Sequence, residues 1–273
     1  MLVQELTDPT ARRREQRLKD TVKRNHDVPG WAAVNDFADL HVMIQPTTAV
    51  GVRPFDRDGG TTKPDQMLAT LTKTTVDVWE GPFFGRHLKE WSSMQHYHDW
   101  SRYPTSPHGP GWSLGSQHSE SNHGMVVDLT VTDRGGGYLF CGRAGTFKGK
   151  DQDTFVLIDD LVVGLTVHTL AIMGGIYAQA QYAGSVDVGL AVTGMDGKKV
   201  FSEKLDQQGW YFGCHVEEPA TPRSGEYSQT ALVSSPSDMI DDPITITHTL
   251  VGDLIEQVTV GNYDPFCKIA RMR

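Results

Sequence analysis

The sequence predicts an α+β fold, a mostly antiparallel sheet packed against one long buried helix, with N- and C-terminal helices. Three observations carry that prediction. From Leu161 to Ile176 the only clearly polar side chains are Thr166, His168 and Thr169, so a helix there is apolar on nearly every face and belongs inside a domain. Met125–Thr132, the turn Asp133-Arg134-Gly135-Gly136-Gly137 and Tyr138–Arg143 form a hairpin pattern, with turn residues suited to positive φ. Two further strand-like runs, Ala38–Gln45 and Val186–Thr193, end at Pro46 and Gly194.

The elements follow in order. Asp8-Pro9 is a helix start, Asp as N-cap and Pro at the first helical position, and Leu18 and Val22 supply a thin i,i+4 apolar stripe up to about Asn25. Pro29-Gly30 turns the chain toward Ala38–Gln45. Residues 50–63 read as loop, Pro64–Leu71 as a short helix, and Gly81–His123 shows no sustained period of two or 3.6. Asp151, Asp153 and Thr154 are candidate caps for the long helix. After Val186–Thr193 and a polar stretch, TALVS reads as a strand, and Ser237-Asp238 or Asp242-Pro243 starts a final helix reaching about Val258. All these helices are expected on one face of the sheet. The domain reading is a basic N-terminal helix over 1–28 and a single α+β domain over 29–273, with an irregular His-rich insertion at about 81–123.

At 273 residues, with 38% hydrophobic and 22% charged residues, the chain has the composition of a globular protein that folds without disulfides. Cys141, Cys214 and Cys267 are scattered and unpaired by any CxxC spacing, which argues against a disulfide framework and a zinc ribbon and points to a reducing, cytoplasmic setting. The N-terminus lacks the apolar core of a signal peptide. The Leu161–Ile176 run is shorter than the ~20 residues a bilayer needs, so no membrane is expected as a partner. The formal charge of −9 is uneven: seven basic residues between Ala11 and Arg24 stand against Glu15 and Asp20, a local +5 on a remainder of −14. A mostly acidic chain argues against broad nucleic-acid binding. Arg12, Arg13, Arg14 and Arg17 are the candidates for a weak, non-specific phosphate contact, against the plainer reading of a solvated helix face.

Candidate chemistry concentrates in the insertion. His96, His98 and Asp99, with His108, His118 and His123, supply the imidazole and carboxylate groups that zinc or iron takes, and an extended Gln95–Asp99 would aim His96 and His98 to one side. Their spacing matches no HExxH or comparable signature, so histidines in a polar loop are the competing reading. No GxSxG elbow and no P-loop occur, and no catalytic residue is assigned. His168 reads as a hydrogen-bonded core residue.

Leu139–Arg143 (LFCGR), the long helix, VDVGLAVTGMDG and EYSQTALVSSPSDMIDDPITITHTLVGDLI together resemble the region that follows the AlbA-type (Schlafen-like) DNA-binding domain in some large actinobacterial proteins. The basic helix Arg12–Arg24 and the turn Pro29-Gly30-Trp31 fit the same order, and the resemblance covers about residues 10–265. The domain carrying that family's nucleic-acid chemistry would precede this chain, and Met1 leaves few residues for it, so none of its functional residues transfers. The resemblance implies a companion module that is regulatory, oligomerising or partner-binding. The expected function is therefore a non-catalytic cytoplasmic interaction or regulatory module, accessory to a DNA-associated system, with a protein partner or a second copy of itself and no cofactor. The alternatives are a divalent-metal-dependent hydrolase using the His96/His98 region and a structural subunit of a larger assembly.

Overall fold

A computed structural model describes residues 8–28, 38–48, 66–68, 70–71, 100–115, 127–148, 154–157, 159–195, 200–202 and 225–258. The elements are α1 (Pro9–His26), β1 (Ala38–Pro46), β2 (Ser101–Tyr103), β3 (Gly111–Gly115), β4 (Val127–Thr132), β5 (Gly137–Lys148), β6 (Thr154–Leu157), α2 (Asp159–Gln179), β7 (Val186–Thr193), β8 (Val200–Ser202), β9 (Tyr227–Val233), α3 (Asp238–Asp241) and α4 (Pro243–Val258). The fold is α+β. Seven strands form one antiparallel path in the order β2-β3-β4-β5-β1-β7-β9, and β6 and β8 extend the sheet beside β5, β8 running parallel to β6.

Strand alternation divides β1 cleanly. Leu40, Val42 and Ile44 face the main core, which they share with Val162, Leu170, Met173 and Ile176 of α2 and with Leu250, Val251 and Leu254 of α4. Met43 faces the other way, into a small cluster with Leu18 of α1, Tyr138 and Ala191. Helices thus cover both faces of the sheet, and the expectation that all would lie on one face fails for α1. Leu18 and Val22 are apolar enough to bury one stripe, and the outward faces of β1, β5 and β7 offer the matching Met43, Tyr138 and Ala191. Gly189 lets α1 approach, since a Cβ there would come within 3.2 Å of Leu18.

The α2 helix is longer than its apolar run suggests. Val162–Gln179 is long and apolar enough to cross a bilayer by length and composition, so shortness is no argument against a span; 83% of that window is buried within the fold. Its Thr166 and Thr169 hydroxyls donate to the carbonyls of Val162 and Leu165 four residues back, so they enter the core already satisfied. Tyr177 Oη donates to Gly135 O at 2.7 Å, tying the helix to the β4–β5 turn, where Gly135 takes φ +81°. Thr154 does not cap this helix: Thr154–Leu157 is strand, pairing with the far half of β5, and the helix begins at Asp159. Asp151 and Asp153 lie outside the described residues.

Both proposed starts for the C-terminal helix are used, Asp238 for the short α3 and Pro243 for α4. Within the segment 81–123, residues 101–103 and 111–115 are strands although they show no sequence period, because β2 has three residues and β3 five, too few to establish alternation.

Candidate functional site

Asn25, His41, Asp128, Asp187 and Thr193, all buried, collect on the α1 side of the sheet. On β1 the side chains of Asp39 and His41 alternate with the core-facing Leu40, and Asp39 stands directly opposite Thr193 of β7. The β1–β5 register shifts between Ala38 and Leu40, so Asp39 sits at an irregularity of the kind that re-aims side chains. The last turn of α1 brings Asn25 and His26 over these strands.

Asp8 starts that helix as the sequence predicts, accepting from Thr10 N at 2.9 Å. On its inner side Arg17 Nη1 donates to Asp187 Oδ2 at 2.5 Å. Burial nevertheless pushes the Asp187 carboxyl above its ordinary value, against the pull of Arg17.

A directional hydrogen-bond chain runs beneath the helix end. His108 Nε2 meets Asn25 Oδ1 at 2.7 Å, Asn25 Nδ2 meets His41 Nδ1 at 3.0 Å, and His41 Nε2 meets Thr193 Oγ1 at 3.2 Å. Since the amide oxygen can only accept and the amide nitrogen only donate, His108 carries its proton on Nε2 and His41 carries its proton on Nε2. Thr193 Oγ1, accepting from His41, then lies 3.4 Å from His26 Nε2. Burial lowers the pKa of His41 to about 3, with the neighbouring His26 and His108 opposing a second charge, so the ring is neutral at physiological pH. His108 is likewise held down to about 3 by burial and, secondarily, by Arg24. His26 moves the other way: its contact with Asp39 Oδ2 at 3.6 Å raises its pKa.

His108 reaches this place from the β2–β3 turn. Gly109 takes φ +107°, its N–H donates to Ser106 O, and the imidazole stacks on Tyr138 with centroids 4.0 Å apart and planes 7° apart. Of the sequence-predicted metal residues, His108 thus belongs with α1 and β1; His96, His98, Asp99, His118 and His123 lie outside the described residues. The sequence reading missed Asn25, His26, Asp39, His41 and Thr193. The one available signal was the alternation of polar Asp39 and His41 within an apolar strand, which places both on one face.

A second buried polar group lies further along the same sheet face. Asp128 of β4 accepts from Ser113 Oγ and, at 2.7 Å, from Thr130 Oγ1, yet burial outweighs both bonds and raises its pKa to about 6.

The outward side of α1 is basic. Arg12, Arg13, Lys19, Lys23 and Arg24 are exposed, while Leu18, Thr21 and Asn25 are buried against the sheet. Of the four arginines expected to touch phosphate, Arg12 and Arg13 have that exposure, Arg14 is half-buried, and Arg17 is held by Asp187. No known protein family, curated protein or solved structure matches the chain.

Proposed function

We propose that the chain is a non-catalytic interaction or regulatory module, acting in the cytoplasm beside a DNA-associated system, that meets an anionic partner through the outward face of α1. The observation that carries this reading is the division of labour on that helix. Its apolar residues and Arg17 fasten it to the sheet, whereas Arg12, Arg13, Lys19, Lys23 and Arg24 stay exposed to solvent. Five exposed cations on one helix, Arg12, Lys19 and Lys23 along one line with Arg13 and Arg24 on its flank, suit a phosphate backbone, whose binding is dominated by counterion release. The −14 carried by the rest of the chain opposes that attraction, which keeps it weak and dependent on salt.

Fluorescence anisotropy with a labelled DNA duplex tests the reading. Binding is expected at low salt, little near 150 mM, and none at either after Arg12, Arg13, Lys19 and Lys23 are replaced by Gln. Arg17 stays unaltered, since its loss would damage the fold instead of the surface. Low-salt binding that survives the fourfold replacement, or no low-salt binding at all, removes α1 as the contact.

A further inference from the structure

We propose that His26, Asp39 and His41 form a binding site for one divalent transition-metal ion of the zinc class, at the junction of the C-terminal end of α1 with β1 and β7. One imidazole nitrogen from each histidine and one oxygen of Asp39 lie within 4.8 Å of one another. Thr193 Oγ1 stands among them, 3.2 Å from His41 Nε2 and 3.4 Å from His26 Nε2, and Asp39 Oδ2 is 3.6 Å from His26 Nε2. Four donors placed tetrahedrally at about 2.0–2.1 Å from a zinc ion are about 3.4 Å from each other. These three edges bracket that spacing, and the other two among His26, Asp39 and His41 lie within 4.8 Å.

The donor set chooses the class of ion. Two imidazoles and one carboxylate suit zinc, ferrous iron or cobalt, whereas calcium and magnesium require mostly oxygen. Three strong protein ligands leave a fourth vertex at the Thr193 hydroxyl, a weak donor that an outside ligand can displace, which is the open pattern of zinc sites. His26 is partly exposed, its side chain retaining 38% of its accessible surface, so the ion can reach the site from solvent. His41 and Asp39 are fixed by the central strand, and only the helix end needs to adjust.

The surroundings also support the ligand ring. Metal-bound imidazoles are commonly oriented by a partner on the other nitrogen. Asn25 holds His41 Nδ1 at 3.0 Å, and turning its amide over presents Oδ1 to an Nδ1–H while Nδ2 donates to His108 Nε2, whose proton moves to Nδ1 at the same time. No new side chain is needed for the change of tautomer that ligation through Nε2 requires.

The test uses the full chain stripped with EDTA and titrated with Zn2+ by calorimetry and with Co2+ by absorption spectroscopy. One equivalent is expected, with the intense visible bands of four-coordinate Co2+. His26→Ala and Asp39→Ala should each weaken binding by about 100-fold or more, beyond what loss of an orienting neighbour does. Thr193→Val should retain binding and alter the Co2+ spectrum. His248→Ala, on the exposed side of α4, should change nothing. If Asp39→Ala fails to fold, the half-exposed His26→Ala decides the matter, its metal-free melting being compared with the parent. Absence of binding, or one equivalent retained by folded His26→Ala and lost instead from a His96→Ala, His98→Ala double variant, overturns the proposal. DNA binding is scored separately, so failure of either assay leaves the other interpretable.

Discussion

At the scale of single residues, the sheet face under α1 holds groups that oppose one another. Asp128 is the clearest. Its carboxyl stays near 6 in the folded chain against an ordinary 3.8, so the native state is favoured while the group is protonated in both states, below pH 3.8. That contribution is lost as pH rises through about 6. Asp128→Asn, which keeps an acceptor for Ser113 or Thr130 without the charge, should therefore melt higher than the parent at pH 7, and the gap should close as pH falls toward 4. A gap that stays constant from pH 4 to 7 would mean that the carboxyl titrates normally. Arg17 gives the complementary case. Arg17→Ala takes the hydrogen-bonded guanidinium from the buried Asp187, leaving only the charges of Arg14 and Arg13 nearby, and should cost about 1–3 kcal/mol in denaturant unfolding. Arg13→Ala, on the exposed side, should stay within about 0.5 kcal/mol; equal losses from the two would contradict the assignment of their sides. The sequence made Arg17 look like a surface cation, because its partner lies 170 positions away on β7, beyond the reach of any local pattern.

At the scale of elements, legibility followed periodicity and length. The α2 helix, the β4–β5 hairpin, β1 and β7 announce themselves by runs of apolar residues bounded by Gly or Pro, and the capped start of α1 reads directly from Asp8-Pro9. Strands of three to five residues do not, which is why β2, β3, β6 and β8 were invisible. The candidate site was illegible for a related reason: it is assembled from α1, β1, β7 and the β2–β3 turn, and only the Asn25/His26 and Asp39/His41 pairs are local. Burial of α2 yields its own prediction. Leu165 is nearly fully buried, so Leu165→Ala should cost about 2–5 kcal/mol, and Leu165→Asp should abolish soluble expression. A soluble Leu165→Asp protein melting like the parent would refute the placement of this helix.

At the scale of the whole molecule, the two faces of the sheet are built differently. One is covered by α2 and α4 over a broad apolar core; the other holds α1 by Leu18, Val22 and a seam of polar contacts. Local opening follows buried apolar contact, so in native-state hydrogen exchange the amides of α1 should be released by a sub-global opening, well before those of β1, β7 and α2. Protection of α1 equal to that of α2 would mean that the polar seam is as strong as the core.

The position of β1 also has a consequence during synthesis. It is the first strand of the path to be made, and it lies between β5 and β7, so neither partner exists when it leaves the ribosome. The end of β7 follows roughly 150 residues later, which at ordinary translation rates is about 7–30 s. For that interval ADLHVMIQP is an apolar segment with both of its edges open, a suitable substrate for a chaperone that holds nascent chains. Slowing translation between codons 46 and 137 should therefore lower the yield of folded protein, and faster passage should raise it.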